Sequence, residues 1–281
     1  MLVLAVLMAV TVGSIAGCSG GPPPPSPTPT LSSRDTFATV DGTRLSVDAC
    51  IPSKGAKHPM VVMLHGGSFY MGAAGDLTRQ CTEGAKRGFA MFSVDYRLQP
   101  TRFPGQLEDV GAAVQWLKAP AQTSRFSTDP HSISLLGVSA GGVIAAELAV
   151  GVPGSPLPKS TFRSVVLLSG GYLFQEDALN EDLRQIQYRY LGCSPTETCT
   201  TAPAASAALH VAANDPPMLI VGSTHELVPV AQPERFAAAL AQAGARHRLI
   251  LVPGTAHAND IVDLVPAANQ AMWAFLKNPA G

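Results

Sequence analysis

Residues 132–150 read SISLLGVSAGGVIAAELAV, and they predict a strand, a tight turn and a helix in succession. It begins with an apolar run at 132–137, typical of a buried strand, and ends in small residues at 142–150, typical of a packed helix. Between them, Gly137-Val138-Ser139-Ala140-Gly141 has the G-x-S-x-G pattern of a tight strand-to-helix turn. Such a turn is too crowded for bulky neighbours and lifts its serine above the sheet. The pattern therefore makes Ser139 a candidate nucleophile.

The remaining strands can be predicted on both sides of this turn. Residues 36–40 and 44–49 alternate apolar and polar positions around Asp41-Gly42, a dipeptide that favours a hairpin. Short apolar runs of the kind found in buried parallel strands follow at 60–64, 89–94, 132–137, 165–169, 218–222 and 249–252. The chain is thus predicted to open with antiparallel strands and to continue with parallel ones.

Helical signals lie between these runs. Leu107, Val110, Val114 and Leu117 are spaced by three and four residues, and a second helical stretch closes at Gly244. Alternating strands and helices predict an α/β fold with a mostly parallel eight-stranded sheet and helices on both faces.

The domain organisation follows from where this alternation starts and where it is interrupted. Residues 36–281 are predicted to form one catalytic domain. Within it, residues 172–215 are polar, Ala-rich and contain proline, so they are predicted to be a small cap insertion.

The composition limits the partners. The 281 residues carry a formal net charge of -1, with 14% charged and 46% hydrophobic residues. Such a chain has no basic field to hold phosphates, so nucleic-acid binding is not expected.

The N-terminus predicts export. Residues 1–17 form an apolar run that is too short for a comfortable membrane span and suits a signal peptide. The run closes as Ile15-Ala16-Gly17-Cys18, which resembles the bacterial lipobox, whose cysteine is acylated and anchors the protein to the membrane. The alternative is an ordinary leader with a chance cysteine. Cys18 is the candidate for lipid attachment on the extracytoplasmic face of the cell membrane.

A proline-rich linker is predicted to join this anchor to the domain. Residues 18–35 contain GPPPPSPTPT at 21–30, which cannot build a packed core and should form an extended polyproline spacer. A docking motif for a proline-recognising partner is the alternative.

Four further cysteines are an even number in a chain that is expected to reach an oxidising compartment. They are Cys50, Cys81, Cys193 and Cys199. Two disulfides are predicted, preferably between the two cysteines nearest in sequence, 193 and 199, and between the remaining pair. Four free, buried thiols are the alternative, because no metal-ligand spacing is present.

Two loops supply partners for Ser139. His257 follows the last predicted strand, in the position from which a loop histidine can act as general base. His65-Gly66-Gly67-Ser68 follows the 60–64 strand and forms either a tight turn or part of an oxyanion hole. His65 is expected to brace that loop.

Five segments together resemble the hormone-sensitive-lipase and feruloyl-esterase-like branches of the α/β-hydrolases. The segments are HGGSF at 65–69, VDYRLQP at 94–100, FPGQLEDV at 103–110, GVSAGG at 137–142 and PGTAH at 253–257. The resemblance implies hydrolysis of a small-molecule carboxylic ester, with Ser139 as nucleophile and His257 as base. It also implies backbone oxyanion donors at Gly67, Ser68 and Ala140, and neither a metal nor an organic cofactor.

The triad acid departs from the family pattern. Relatives usually show Asp before an xLVP stretch, whereas here His225 stands in that place and Glu226 is displaced by one residue. Glu226 is longer than Asp by one methylene and is the preferred candidate, with Glu176 and Asp177 as alternatives. A further alternative is that no acid exists and the domain is impaired.

Two other functions compete with short- or medium-chain ester hydrolysis. The same machinery serves amidases, formamidases and peptidase-type acyl hydrolases. A non-catalytic, membrane-tethered binding module on the same fold would explain a histidine in the acid position.

Overall fold

The computed structural model describes residues 33–55, 57–174, 180–194 and 196–280. The predicted signal peptide, Cys18 and residues 18–32 of the predicted linker lie outside the described residues. Ser33, the first described residue, already lies in the first strand, three residues before the predicted boundary at 36. The segment reads as linker because it is polar, but it forms an edge strand whose Arg34 pairs with Asp48 at 2.5 Å.

A single sheet of eight strands organises the described residues. The strands are β1 (Ser33–Val40), β2 (Thr43–Cys50), β3 (His58–Leu64), β4 (Ala90–Val94), β5 (Thr128–Val138), β6 (Ser164–Leu168), β7 (Met218–Ser223) and β8 (His247–Val252). Their order is β1-β2-β4-β3-β5-β6-β7-β8. β2 is antiparallel to both its neighbours, and all other pairings are parallel. The predicted fold class is confirmed.

The β1-β2 hairpin turns where the sequence predicted. Asp41 and Gly42 have φ angles of 49° and 78°. Two consecutive positive φ angles match the right-handed twist of the flanking strands, and Val40 therefore pairs directly with Thr43.

Helices cover both faces of the sheet. They are α1 (Thr78–Lys86), α2 (Gly105–Lys118), α3 (Pro120–Phe126), α4 (Ala140–Val150), α5 (Glu181–Leu191), α6 (Ala202–Ala205), α7 (Ala231–Ala243), α8 (Asn259–Leu264) and α9 (Pro266–Lys277). Successive residues of β3 point to opposite faces. Val62 belongs to the hydrophobic cluster that includes residues of α2, α4 and α7, whereas Val61 belongs to the cluster that includes residues of α1 and α9.

The predicted cap, residues 172–215, lies between β6 and β7 and contains α5 and α6. Tyr190 and Leu191 of α5 are buried in the same hydrophobic cluster as α4. The segment therefore packs on the helix that follows the candidate nucleophile.

Both candidate disulfides are present in the structure. Cys50, at the end of β2, is bonded to Cys81 of α1, and Cys193, just beyond α5, is bonded to Cys199. The first bond ties the antiparallel part of the sheet to a helix, and the second closes a short loop in the cap.

Within the described part of the chain, no helix combines the length and hydrophobicity that crossing a membrane requires.

Candidate active site

Ser139 occupies a strained turn between β5 and α4. Its φ and ψ are 53° and −116°, a conformation that non-glycine residues rarely adopt. The flanking glycines permit it: a Cβ at Gly137 would lie 2.3 Å from the Gly141 carbonyl oxygen, and a Cβ at Gly141 would lie 2.2 Å from the Leu64 carbonyl oxygen. The Ser139 N–H donates to the Leu168 carbonyl at 2.7 Å. The hydroxyl is thereby held above the carboxyl ends of the strands.

His257 reaches Ser139 from the loop between β8 and α8. Its Nε2 lies 3.1 Å from Ser139 Oγ, although the two residues are 118 apart in sequence. The loop is fixed on both sides of the ring, because Ser223 Oγ donates to the Ala256 carbonyl at 2.5 Å and the Ala258 N–H donates to Ser169 Oγ at 2.8 Å. The imidazole is therefore positioned to take the serine proton.

Glu226 provides the carboxylate beside this histidine. Its Oε2 makes a short hydrogen bond with His257 Nδ1, and its Oε1 accepts the Ser223 N–H at 2.7 Å. The Glu226 side chain is 2% exposed, whereas that of His257 is 27% exposed. A buried carboxylate with both oxygens engaged can hold the imidazole in the tautomer with the proton on Nδ1.

His225 lies at the position where the family pattern has Asp, but it faces solvent. Its Nδ1 lies 2.8 Å from Thr224 Oγ1, and its N–H donates to the Gly254 carbonyl at 2.9 Å. This strand-like pairing directs the next side chain, Glu226, inward. The alternative acids Glu176 and Asp177 lie outside the described residues.

The loop after β3 approaches the nucleophile closely. A Cβ at Gly66 would lie 3.2 Å from Ser139 Cβ, and a Cβ at Gly67 would lie 2.1 Å from the Met71 carbonyl oxygen. Gly67 and Ser68 have φ angles of 112° and 51°. The loop therefore lies against Ser139, where the backbone N–H groups of Gly67 and Ser68 are candidate oxyanion donors together with the Ala140 N–H, which has no intrahelical partner.

His65 braces this loop. It is 1% exposed, its Nδ1 lies 2.7 Å from the Gly66 carbonyl oxygen, and its ring stacks on Tyr96 with a centroid distance of 4.3 Å. The Tyr96 hydroxyl donates to the His65 carbonyl at 2.7 Å. Burial lowers the pKa of His65 and keeps the ring neutral. In this arrangement His65 supports the loop and does not approach the serine proton.

A small cavity of about 30 Å³ opens beside Ser139. Leu183, Ile186 and Gln187 of α5 line it, together with Val143 of α4 and Phe174. These α5 residues were not predicted from the sequence. Their spacing of three and four, after the Asn180 N-cap, was the signal that could have found them.

A contact that was also not predicted from the sequence links the cap to the site. Tyr190 of α5 stacks on Phe69, the residue after Ser68, with ring centroids 3.8 Å apart. Its hydroxyl donates to Glu147 Oε2 of α4 at 2.6 Å. Tyr190 therefore contacts both segments that are predicted to supply oxyanion donors: the loop after β3, through Phe69, and helix α4, through Glu147.

The described residues contain no group of three or more His, Cys, Asp or Glu side chains able to hold a metal ion. The side chains that contact one another at Ser139 are those of a serine, a histidine and a carboxylate.

A protein-family model and a known esterase both match this chain. The BD-FAE family model matches residues 47–240. Esterase LipC of Mycobacterium tuberculosis is 28% identical over 233 residues, which are 76% of this chain and 55% of LipC. The chain thus spans about half of LipC.

Solved structures of Est2, a thermophilic esterase from Thermogutta terrifontis, share the fold. The native form is 24% identical, with a TM-score of 0.72 over 92% of this chain and 97% of that one. The propionate-bound form is 25% identical, with a TM-score of 0.70 over 91% of this chain and 93% of that one. With the family model matching well over half of its length, the chain belongs to the BD-FAE family and has the α/β-hydrolase fold.

Proposed function

We propose that this protein is a serine hydrolase that cleaves carboxylic esters through an acyl-enzyme on Ser139. The observation that carries the proposal is the continuous contact from Ser139 Oγ through the His257 ring to the buried Glu226 carboxylate. The esterase LipC is a relative, which agrees with this chemistry.

The first half of the reaction uses each of these groups once. His257 Nε2 takes the Ser139 proton while Oγ attacks the ester carbonyl. The N–H groups of Gly67, Ser68 and Ala140 stabilise the oxyanion, and Glu226 stabilises the imidazolium. The imidazolium then gives its proton to the departing alkoxide, which leaves the acyl group on Ser139.

The second half repeats these steps with water. His257 takes a proton from a water molecule, and the resulting hydroxide attacks the acyl carbonyl. Collapse of the intermediate returns the proton to Ser139 and releases the carboxylic acid. No cofactor is needed.

The substrate is proposed to carry a short acyl group. The cavity beside Ser139 measures about 30 Å³ and is lined in part by side chains of the cap helix α5. One form of the similar Est2 esterase is propionate-bound, which supports a short acid. The Glu226 contact also provides the acid whose apparent absence motivated the binding-module alternative.

The test is hydrolysis of p-nitrophenyl esters from acetate to palmitate by the purified full chain. Ser139→Ala is expected to abolish turnover and labelling by a fluorophosphonate probe, because no acyl-enzyme can form. Ser160→Ala, at an exposed serine, is the matched control and should behave as wild type. Equal ester turnover by wild type and Ser139→Ala contradicts the proposal.

We also propose that the domain is exported and anchored by lipid on Cys18, with residues 18–32 as spacer. The support is the lipobox-like sequence and the Cys50–Cys81 disulfide, a bond that persists in oxidising compartments. Incorporation of an alkynyl palmitate into wild type and not into Cys18→Ala is the expected result. Equal incorporation into both proteins rejects lipidation at Cys18.

A further inference from the structure

Gln187 presents a buried oxygen without a partner. The residue lies in α5 and is 4% exposed, and its Oε1 has no hydrogen-bond partner among the described residues. Leaving such an acceptor unpaired in a protein interior costs free energy, so an unpaired group at a site calls for a function.

Gln187 lines the cavity beside Ser139 and also a second cavity, which Arg184 and Tyr188 line. In the cavity beside Ser139, most of the other lining groups are apolar, among them Phe69, Val143 and Ile186. The Ser169 hydroxyl, which also lines the cavity, already accepts the Ala258 N–H. Gln187 is therefore a single amide group in a mostly apolar chamber, an arrangement that fixes the orientation of a ligand.

The position of the cavity identifies which half of an ester would enter it. Ser68 and Ala140, the proposed oxyanion donors, line it, whereas His257 is not among its described lining residues. His257 must protonate the leaving alkoxide, so the alcohol half lies on the histidine side. The chamber consequently receives the acyl half.

The chemistry of the chamber narrows the acyl group further. None of its described lining residues is charged, which disfavours an acyl group with a carboxylate or an ammonium. Its small volume favours a compact polar group. A hydroxyl both donates and accepts, so it can pair with the Gln187 amide in either orientation of that amide.

Resting on the proposed esterase function, we infer that Gln187 selects esters of short hydroxy acids by hydrogen bonding the acyl hydroxyl. A site built to bind a hydroxyl rejects the analogue that lacks it, because the polar side chain is then left unpaired. Gln187 is thus a specificity-determining residue.

The test compares p-nitrophenyl butyrate with the 2-hydroxybutyrate and 3-hydroxybutyrate esters, each enantiomer separately. Each kcat/KM is divided by the rate of hydroxide-catalysed hydrolysis of the same ester, which removes differences in intrinsic reactivity. Wild type is expected to favour at least one hydroxy ester over butyrate by about tenfold or more. Gln187→Met, which keeps the length and removes the amide, should bring this ratio close to one.

Two further variants complete the design. Gln185→Met is the matched control, because Gln185 lies on the same helix and its amide is engaged with Glu181 at 2.9 Å. It should keep the wild-type ratio. Gln187→Asn keeps an amide that is one methylene shorter, so it should lower the ratio even if the methionine variant fails to fold.

The outcomes are distinct. Ser139-dependent hydrolysis without preference for any hydroxy ester overturns this inference and leaves the esterase proposal intact. A preference that survives in both Gln187→Met and Gln187→Asn also overturns it. Absence of Ser139-dependent hydrolysis of all these esters overturns the esterase proposal and this inference with it.

Discussion

Replacing Glu226 by glutamine is expected to reverse the proton arrangement of His257. Oε1 accepts the Ser223 N–H, so the carbonyl oxygen of a glutamine must stay on that side. Its NH₂ group would then face His257 Nδ1, where Oε2 now lies. Nδ1 would become an acceptor, and the proton would move to Nε2. An Nε2 that carries a proton cannot take one from Ser139.

The expected loss in kcat is about 10³- to 10⁴-fold, as for a serine-histidine pair locked in the wrong tautomer. At 1.36 kcal/mol per factor of ten, this corresponds to about 4–5.5 kcal/mol of transition-state stabilisation. KM should change little, because Glu226 is 2% exposed and is not among the described residues that line the acyl cavity.

Steady-state hydrolysis of p-nitrophenyl butyrate measures this effect. His225→Ala, at the neighbouring exposed histidine, and Glu234→Gln, at an exposed glutamate of α7, serve as controls and should remain within about twofold of wild type. A Glu226→Gln variant that keeps a tenth or more of the wild-type kcat would refute the tautomer argument, and a large loss in His225→Ala would shift the role to His225.

Three other outcomes follow from the structure. Gly141→Ala places a Cβ 2.2 Å from the Leu64 carbonyl oxygen. The variant should therefore lower the free energy of unfolding by about 1–3 kcal/mol or more and slow fluorophosphonate labelling. Unchanged melting and labelling would contradict the close approach of Gly141 to Leu64. Replacing Cys50 and Cys81 by alanine opens a 31-residue connection and should cost about 3–4 kcal/mol in urea unfolding, against about 2 kcal/mol for the six-residue bond in the cap; the reverse order would reject the loop-closure account. Burial raises the pKa of Glu147 well above its usual range, so the folded state keeps a proton that the unfolded chain releases. The free energy of unfolding, relative to that of Glu147→Gln, should therefore fall as pH rises above about 4.5. Urea unfolding from about pH 5 to about pH 8 measures this difference, and a difference that does not change with pH would show that the carboxyl does not titrate in this way.

Much of the fold could be predicted because the central strands are buried on both faces. Such strands are continuous apolar runs, and each of the predicted runs overlaps a strand of the structure. The ends were harder to place. β5 begins at Thr128, four residues before its apolar run, because polar residues there pair with His58 and Pro59 through the backbone alone.

Some residues of the site could be predicted from short stretches of sequence, whereas others depend on contacts between segments that are distant in sequence. Ser139 and His257 could be proposed from local patterns, because a glycine-flanked turn and a loop after the last strand are encoded by neighbouring residues. The geometry of Glu226 depends on how its loop pairs with Gly254, which no local pattern specifies. Gln187 was missed because no helix was predicted within 172–215, although the spacing that follows the Asn180 N-cap indicates one.

The sequence separation of 118 between Ser139 and His257 has a consequence for how the protein folds. His257 follows β8, an edge strand whose sheet partner is β7. Contacts between residues so distant in sequence form late, because a large loop must be closed first. An intermediate in which β8 is undocked would hold Ser139 in its strained turn but would lack the His257 base. Recovery of hydrolysis during refolding would therefore lag behind recovery of helical signal and report the docking of the last strand.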